Sequence, residues 1–130
     1  MAPSSTAFLT DQYELTMLAS ALADGSASRR CAFEVFARGL SRHRYGVLAG
    51  VGRLLDALAH FQFDDEQLAF LHRMLDARTV DWLAHYRFRG DIDGYPEGEL
   101  YFPGSPVLTV TGSFAETIVL ETLVLSVLNH

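Results

Sequence analysis

Ser113-Phe114-Ala115-Glu116-Thr117-Ile118-Val119-Leu120-Glu121-Thr122-Leu123-Val124-Leu125-Ser126-Val127-Leu128 is the stretch that bears most on the fold. Ser113 followed by Glu116 has capping-box chemistry, so the spacing predicts a helix start at that point. On a helical wheel the apolar residues that follow cover almost every direction. Ile118 and Leu125 intrude on the arc of Glu121, Thr122, Ser126 and Asn129. A helix apolar nearly all round has to be enclosed. This one is too short, and too interrupted by Glu121, to span a bilayer. No glycine, proline or basic turn ends it before His130. The expectation is that strands and surface helices elsewhere in the chain do not cover it on all sides. A larger protein continuing past His130, or a second copy, supplies the missing layer.

Upstream, proline and glycine punctuate three short runs: Asp91 to Tyr95, Glu99 to Phe102 and Val107 to Thr111. Pro96-Glu97-Gly98 and Pro103-Gly104-Ser105-Pro106 are turn chemistry. Leu100 with Phe102, and Leu108 with Val110, mark the inward faces of a predicted antiparallel meander. A further strand is predicted over Cys31 to Arg38, where Cys31, Phe33, Val35 and Ala37 alternate with Ala32, Glu34, Phe36 and Arg38. Apolar residues on both its faces predict a place inside a sheet. Glu34 and Arg38 share a face too far apart to pair tightly, so each is expected to find another partner.

Helical spacing recurs between these strands. Val47, Val51, Leu54, Leu55 and Leu58 form one apolar face, and Asp64 with Gln67 opens a helix burying Leu68, Leu71 and Leu75. Thr79 starts a short helix carrying Trp82, Leu83 and Tyr86. Helices packed on a small, mostly antiparallel sheet make the fold class α+β.

The amino-terminal helix begins in Thr10-Asp11-Gln12-Tyr13-Glu14-Leu15-Thr16-Met17. Asp11 caps it, Glu14 is placed to reach back to the cap's own N–H, and Gly25 stops it. Leu15, Leu18 and Leu22 fall on the buried face. Tyr13 lies well around the helix from them, held where a ring with a hydroxyl suits a flat ligand. Residue chemistry alone favours a plainer role, packing on a neighbouring sheet with the hydroxyl in water.

The 130 residues fit one domain. With 49% apolar and 12% aromatic residues the chain is not disordered. A net charge of −6 argues against a nucleic-acid partner. Arg29, Arg30, Arg38, Arg42 and Arg44 make a local basic cluster, a solvated face or a meeting place for a phosphorylated small molecule. Cys31 is the one cysteine, which fits a reducing cytosol, and Met1 to Ser5 has no signal-peptide character. Gly50-Val51-Gly52 lacks the third glycine and the lysine of a phosphate loop. His43, His60, His72 and His85 are too widely spaced to pair on a helical face as metal ligands.

The order of motifs resembles the amino-terminal part of nicotinate phosphoribosyltransferase. Four pieces carry the resemblance: Thr10 to Met17, Phe33-Glu34-Val35-Phe36-Ala37-Arg38, Pro96-Glu97-Gly98, and Leu120-Glu121-Thr122 through Asn129-His130. It runs from Phe8 onward in order and with compatible spacing. Ala37 and Gly39 depart from the bulkier or basic residues often found in the family.

The resemblance implies an enzyme that condenses nicotinate with phosphoribosyl pyrophosphate, giving nicotinate mononucleotide and pyrophosphate in NAD salvage. ATP hydrolysis, with magnesium, is coupled through a phosphorylated histidine, and the enzyme is a cytoplasmic homodimer. Residues 1–8 are then a disordered tail. Residues 9–130 are an incomplete amino-terminal α/β domain whose last helix leads into an α/β barrel. Tyr13 falls on the family tyrosine that contacts the pyridine ring in the active site of the neighbouring subunit. Asp11 matches an acidic residue near the same place in the related nicotinamide enzymes, with capping as its other role. Arg38 matches a basic residue able to meet phosphate or pyrophosphate, with a surface ion pair as the alternative. The phosphorylated histidine and the ribose-phosphate loop belong to the barrel, and His130 is not assigned that role. The segment is therefore expected to be inactive alone. The competing expectation is a non-catalytic α+β oligomerisation or binding module that buries its terminal helix against a partner chain.

Overall fold

The computed structural model describes residues 4–128. Its central strand, β5 (Leu108–Ser113), alternates buried and half-buried residues, with Leu108 and Val110 facing the core as their spacing predicts. Antiparallel to it run β1 (Arg30–Val35), placing Phe33 opposite Val110, and β3 (Asp91–Gly94), placing Ile92 opposite the same residue. The order is β1-β5-β3, so β1 is an edge strand rather than an interior one. Its inward residues Cys31, Phe33 and Val35 are half-buried, and Arg30, Ala32 and Glu34 are exposed. The strand stops at Val35, three residues short of the predicted end.

The predicted three-run meander does not form. A second, two-stranded sheet pairs β2 (Gly46–Val47) with β4 (Leu100–Tyr101), taking the middle run away from β3 and β5. Leu100 and Phe102 are exposed while Tyr101 packs on the core. A one-residue change of register moves a strand's whole apolar set to the other face, and here the ring of Tyr101 took the inward position.

The helices are α1 (Gln12–Asp24), α2 (Val51–Ala59), α3 (Asp65–Leu71), α4 (Ala77–Ala84), α5 (Phe114–Ile118) and α6 (Glu121–Leu128). Gly25 ends α1 with φ 84°, the left-handed conformation glycine adopts without a Cβ clash. Gly50 does the same before α2 with φ 104°, which leaves Val47 in β2 instead of the helix. Leu54 is buried, but Leu55 is exposed. The Asp64–Gln67 capping box is formed in full, whereas α4 is capped by Asp76 and begins at Ala77, two residues before the expected start at Thr79.

The carboxy-terminal run is two helices, not one. The Ser113–Glu116 capping box opens α5, and the chain breaks at Val119–Leu120 before α6 begins. That break lets α5 pack against α1 and the sheet while α6 packs against α2. Ile118, Val119, Leu120, Leu123 and Val124 are consequently buried by this chain's own elements. Cover is more complete than expected but still not on all sides: one flank stays open, where Leu125 is 46% exposed beside Glu121 and Ser126. Asn129 and His130 lie outside the described residues.

The segment before α1 is more ordered than the expected tail over 1–8, of which residues 1–3 lie outside the description. Thr6 is held in place: its N–H donates to the His60 carbonyl at 3.1 Å and its hydroxyl to the Ala57 carbonyl at 2.6 Å. Ala7 is fully buried, and Phe8 meets Phe63 and Phe70 edge-on. An apolar anchor and two hydrogen bonds offset the entropy of holding the segment down.

Candidate functional site

Tyr13 stands in the first turn of α1 with 61% of its surface exposed. It borders a shallow concavity with Thr16, Met17, Ser20, Asp24 and Phe114. Its backbone N–H donates to Asp11 Oδ1 at 3.1 Å, so the exposed Asp11 side chain serves as the N-cap. The expected reach of Glu14 back to the cap N–H is not made. Glu14 turns inward and is 1% exposed. Its Oε2 accepts from the Thr10 hydroxyl at 2.6 Å, and its Oε1 accepts from the Thr122 N–H at 2.8 Å and from the Thr122 hydroxyl. Leu120 and Glu121 precede Thr122, so Glu14 supplies the anion at the start of α6, where free amides favour one. Burial and the neighbouring charge of Glu14 together raise the pKa of Glu121.

A second polar cluster lies under α5. Glu116 completes the capping box through Ser113 and also accepts from the Arg89 N–H at 2.8 Å, and the Tyr86 hydroxyl donates to the Glu116 carbonyl at 2.7 Å. Burial raises the Glu116 carboxyl, but the hydrogen bonds from Ser113 and Arg89 outweigh it and leave the pKa below the ordinary value. Burial, helped by the charges of Glu116 and Glu14, pushes the Tyr86 phenol far upward, so it stays a neutral donor.

Arg38 lies beyond β1 in a segment without regular structure. It borders a different groove, with Val35, Phe36, Leu48, Tyr101 and Leu125 among its walls. Among the described residues neither Arg38 nor Glu34 forms an ion pair; the pairs are Arg30–Asp91 and His85–Asp81, both at 3.9 Å. The structure therefore keeps Tyr13 and Asp11 together and places Arg38 in a separate concavity.

The start of α2 is closed to a phosphate. Glu97 Oε1 accepts from the Gly50 N–H at 2.9 Å and Oε2 from the Val51 N–H at 2.8 Å, which holds its pKa below the ordinary value. Among the described residues no group of three or more His, Cys, Asp or Glu side chains is placed to hold a metal ion. No helix there is long and apolar enough to cross a membrane.

The family model for the nicotinate phosphoribosyltransferase (NAPRTase) N-terminal domain matches residues 8–129. The chain belongs to this family. Nicotinate phosphoribosyltransferase pncB1 of Mycobacterium tuberculosis is 66% identical over 123 residues, which cover 94% of this chain and 28% of that protein. The Bacillus subtilis nicotinate phosphoribosyltransferase is 30% identical over 93% of this chain and 25% of its own length. The crystal structure of human nicotinic acid phosphoribosyltransferase superposes with a TM-score of 0.85 at 29% identity, covering 92% of this chain and 25% of that one. The chain thus spans about a quarter of the length of the relatives it matches.

As an NAPRTase N-terminal domain, the chain has the α+β architecture that its patterning predicts. The role of Glu14 was missed, and nothing local signals it. Its partner lies 108 positions away, and a glutamate three residues after a cap reads as a capping box from spacing alone.

Proposed function

We propose that this domain serves an enzyme that joins nicotinate to phosphoribosyl pyrophosphate, with ATP hydrolysis coupled to the reaction as a step of NAD salvage. The pyridine nitrogen bonds to ribose C1 as the bond from C1 to pyrophosphate breaks, leaving nicotinate mononucleotide and pyrophosphate. The observation that carries this is the 66% identity to pncB1 across 94% of the chain.

Within that enzyme Tyr13 contacts the pyridine ring. Its exposure at the rim of α1, with the first turn capped by Asp11, supports a contact made to a site completed outside this domain, in the neighbouring subunit of a homodimer. A ring held flat against the substrate restricts its orientation toward ribose C1. Asp11 acts mainly through the cap, near the same substrate. Arg38, exposed and without a carboxylate partner among the described residues, is available to phosphate or pyrophosphate. The exposed flank of Leu125, continuous with the groove lined by Val35 and Phe36, supports a further layer of protein packing there. ATP and magnesium belong to the complete cytoplasmic enzyme. The described residues do not form a cage for the metal.

The domain is expected to be inert by itself, because a developing ribosyl cation needs preorganised charges on every side of it. Mixing it with the remaining portion of a related nicotinate phosphoribosyltransferase is expected to give nicotinate mononucleotide, read by chromatography. A mixture in which the two pieces associate yet form no product contradicts the proposal.

A further inference from the structure

We infer that Glu14 is a positioning residue for Tyr13, acting as a clamp that fixes the first turn of α1 to the start of α6. This rests on the role proposed above for Tyr13. Along its length α1 is held by apolar contacts: Leu15, Leu18 and Ala21 are buried, and the helix packs against α4 and α5. Such contacts are non-directional and tolerate small rolls and slides of a helix. The direct tie from the first turn of α1 to α6 comes from one side chain. Among the described residues the hydrogen bonds from α1 to another α-helix are those of Glu14 to Thr122.

The geometry is that of a two-sided tie. One carboxylate oxygen holds the Thr10 hydroxyl on the near side of the Asp11 cap, and the other holds both donors of Thr122. Tyr13 is the residue between cap and clamp, so its Cα has anchored neighbours on each side. Its ring, exposed and with no partner ring or hydrogen bond among the described residues, takes its direction from that backbone. A carboxylate suits the task because it accepts at both oxygens and sits where the α6 amides attract negative charge. Glutamine keeps the shape and one acceptor facing Thr122, and its amide can donate to the Thr10 hydroxyl.

Two readouts test the clamp. Amide exchange followed by NMR on the 130-residue chain is expected to quicken about tenfold or more at Tyr13, Leu15 and Thr122 in Glu14→Ala, while Val110 in β5 is unchanged. Glu14→Gln is expected to exchange as the parent does. In the complemented enzyme, Glu14→Ala is expected to raise the KM for nicotinate toward the value of Tyr13→Ala, and Glu14→Gln to restore it. A smaller folded fraction lowers the apparent kcat without moving KM, so the KM shift separates positioning from simple loss of protein. If Glu14→Ala does not fold, Thr122→Val, which removes one of the three donors, is expected to move both readouts in the same direction by a smaller factor. Unchanged exchange at Tyr13 in the folded variants overturns the inference, as does a parental KM in variants of Glu14 and Thr122 when Tyr13→Ala raises it. A Tyr13→Ala enzyme with parental KM instead removes the substrate role of Tyr13, a failure recognisable without any Glu14 variant.

Discussion

Glu14 and Glu97 make the same kind of hydrogen bond in opposite surroundings. Each carboxylate accepts from the backbone at the start of a distant helix, Glu14 from one amide of α6 and Glu97 from the Gly50 and Val51 amides at α2. Glu14 is enclosed, whereas Glu97 is open to water. The difference teaches that what such a bond contributes depends on what its loss leaves behind. Around Glu97, water replaces the carboxylate at little cost. Around Glu14, itself 1% exposed, the Thr122 N–H and hydroxyl and the Thr10 hydroxyl belong to half-buried residues and lose their acceptor together, and donors that water reaches poorly are expensive to leave unpaired.

The largest effect expected from this contrast is on Glu14. Glu14→Ala should destabilise the domain by about 3 kcal/mol in urea unfolding, from unpaired donors and the cavity together. A cost below about 1 kcal/mol would erase the distinction between the two carboxylates.

A smaller and pH-dependent effect is expected at Glu97. Its folded pKa is depressed, chiefly by the Gly50 and Val51 amides, so its contribution is present above the unfolded value and is lost as pH falls through the folded one. Glu97→Gln should therefore lower the melting temperature slightly at pH 7. The gap should close as pH falls below 4.5, the ordinary glutamate value. A gap that widened on acidification would have the wrong sign for this account.

Which parts of the molecule were legible in the sequence follows from the same contrast. Local chemistry was readable: the caps at Asp11, Asp64 and Ser113, the stop at Gly25, and the inward alternation of Leu108 and Val110 all stand in the structure. Each of those depends on residues within a few positions of one another. Pairings across the chain were not readable. The partnership of β2 with β4 rather than β3 with β4, and the edge position of β1, are set by long-range register. The break at Val119–Leu120 is likewise invisible in a continuous apolar run, because tertiary packing on α1 and α2 decides where the two helices part. Of the candidate site, the Asp11 cap and the placing of Tyr13 away from the buried face were foreseen, whereas the sheet packing that residue chemistry favoured for Tyr13 is absent at 61% exposure and the buried turn of Glu14 was not foreseen.

The smallest effect on stability belongs to the residue with the largest proposed effect on function. Tyr13 is mostly exposed, and its replacement by alanine should leave unfolding within about 0.5 kcal/mol of the parent. The direct measurement is the KM for nicotinate of the complemented enzyme carrying Tyr13→Ala. An increase of about tenfold, the loss of one aromatic contact to the substrate, is the predicted result. A KM equal to the parent's, at undiminished stability, would contradict the account.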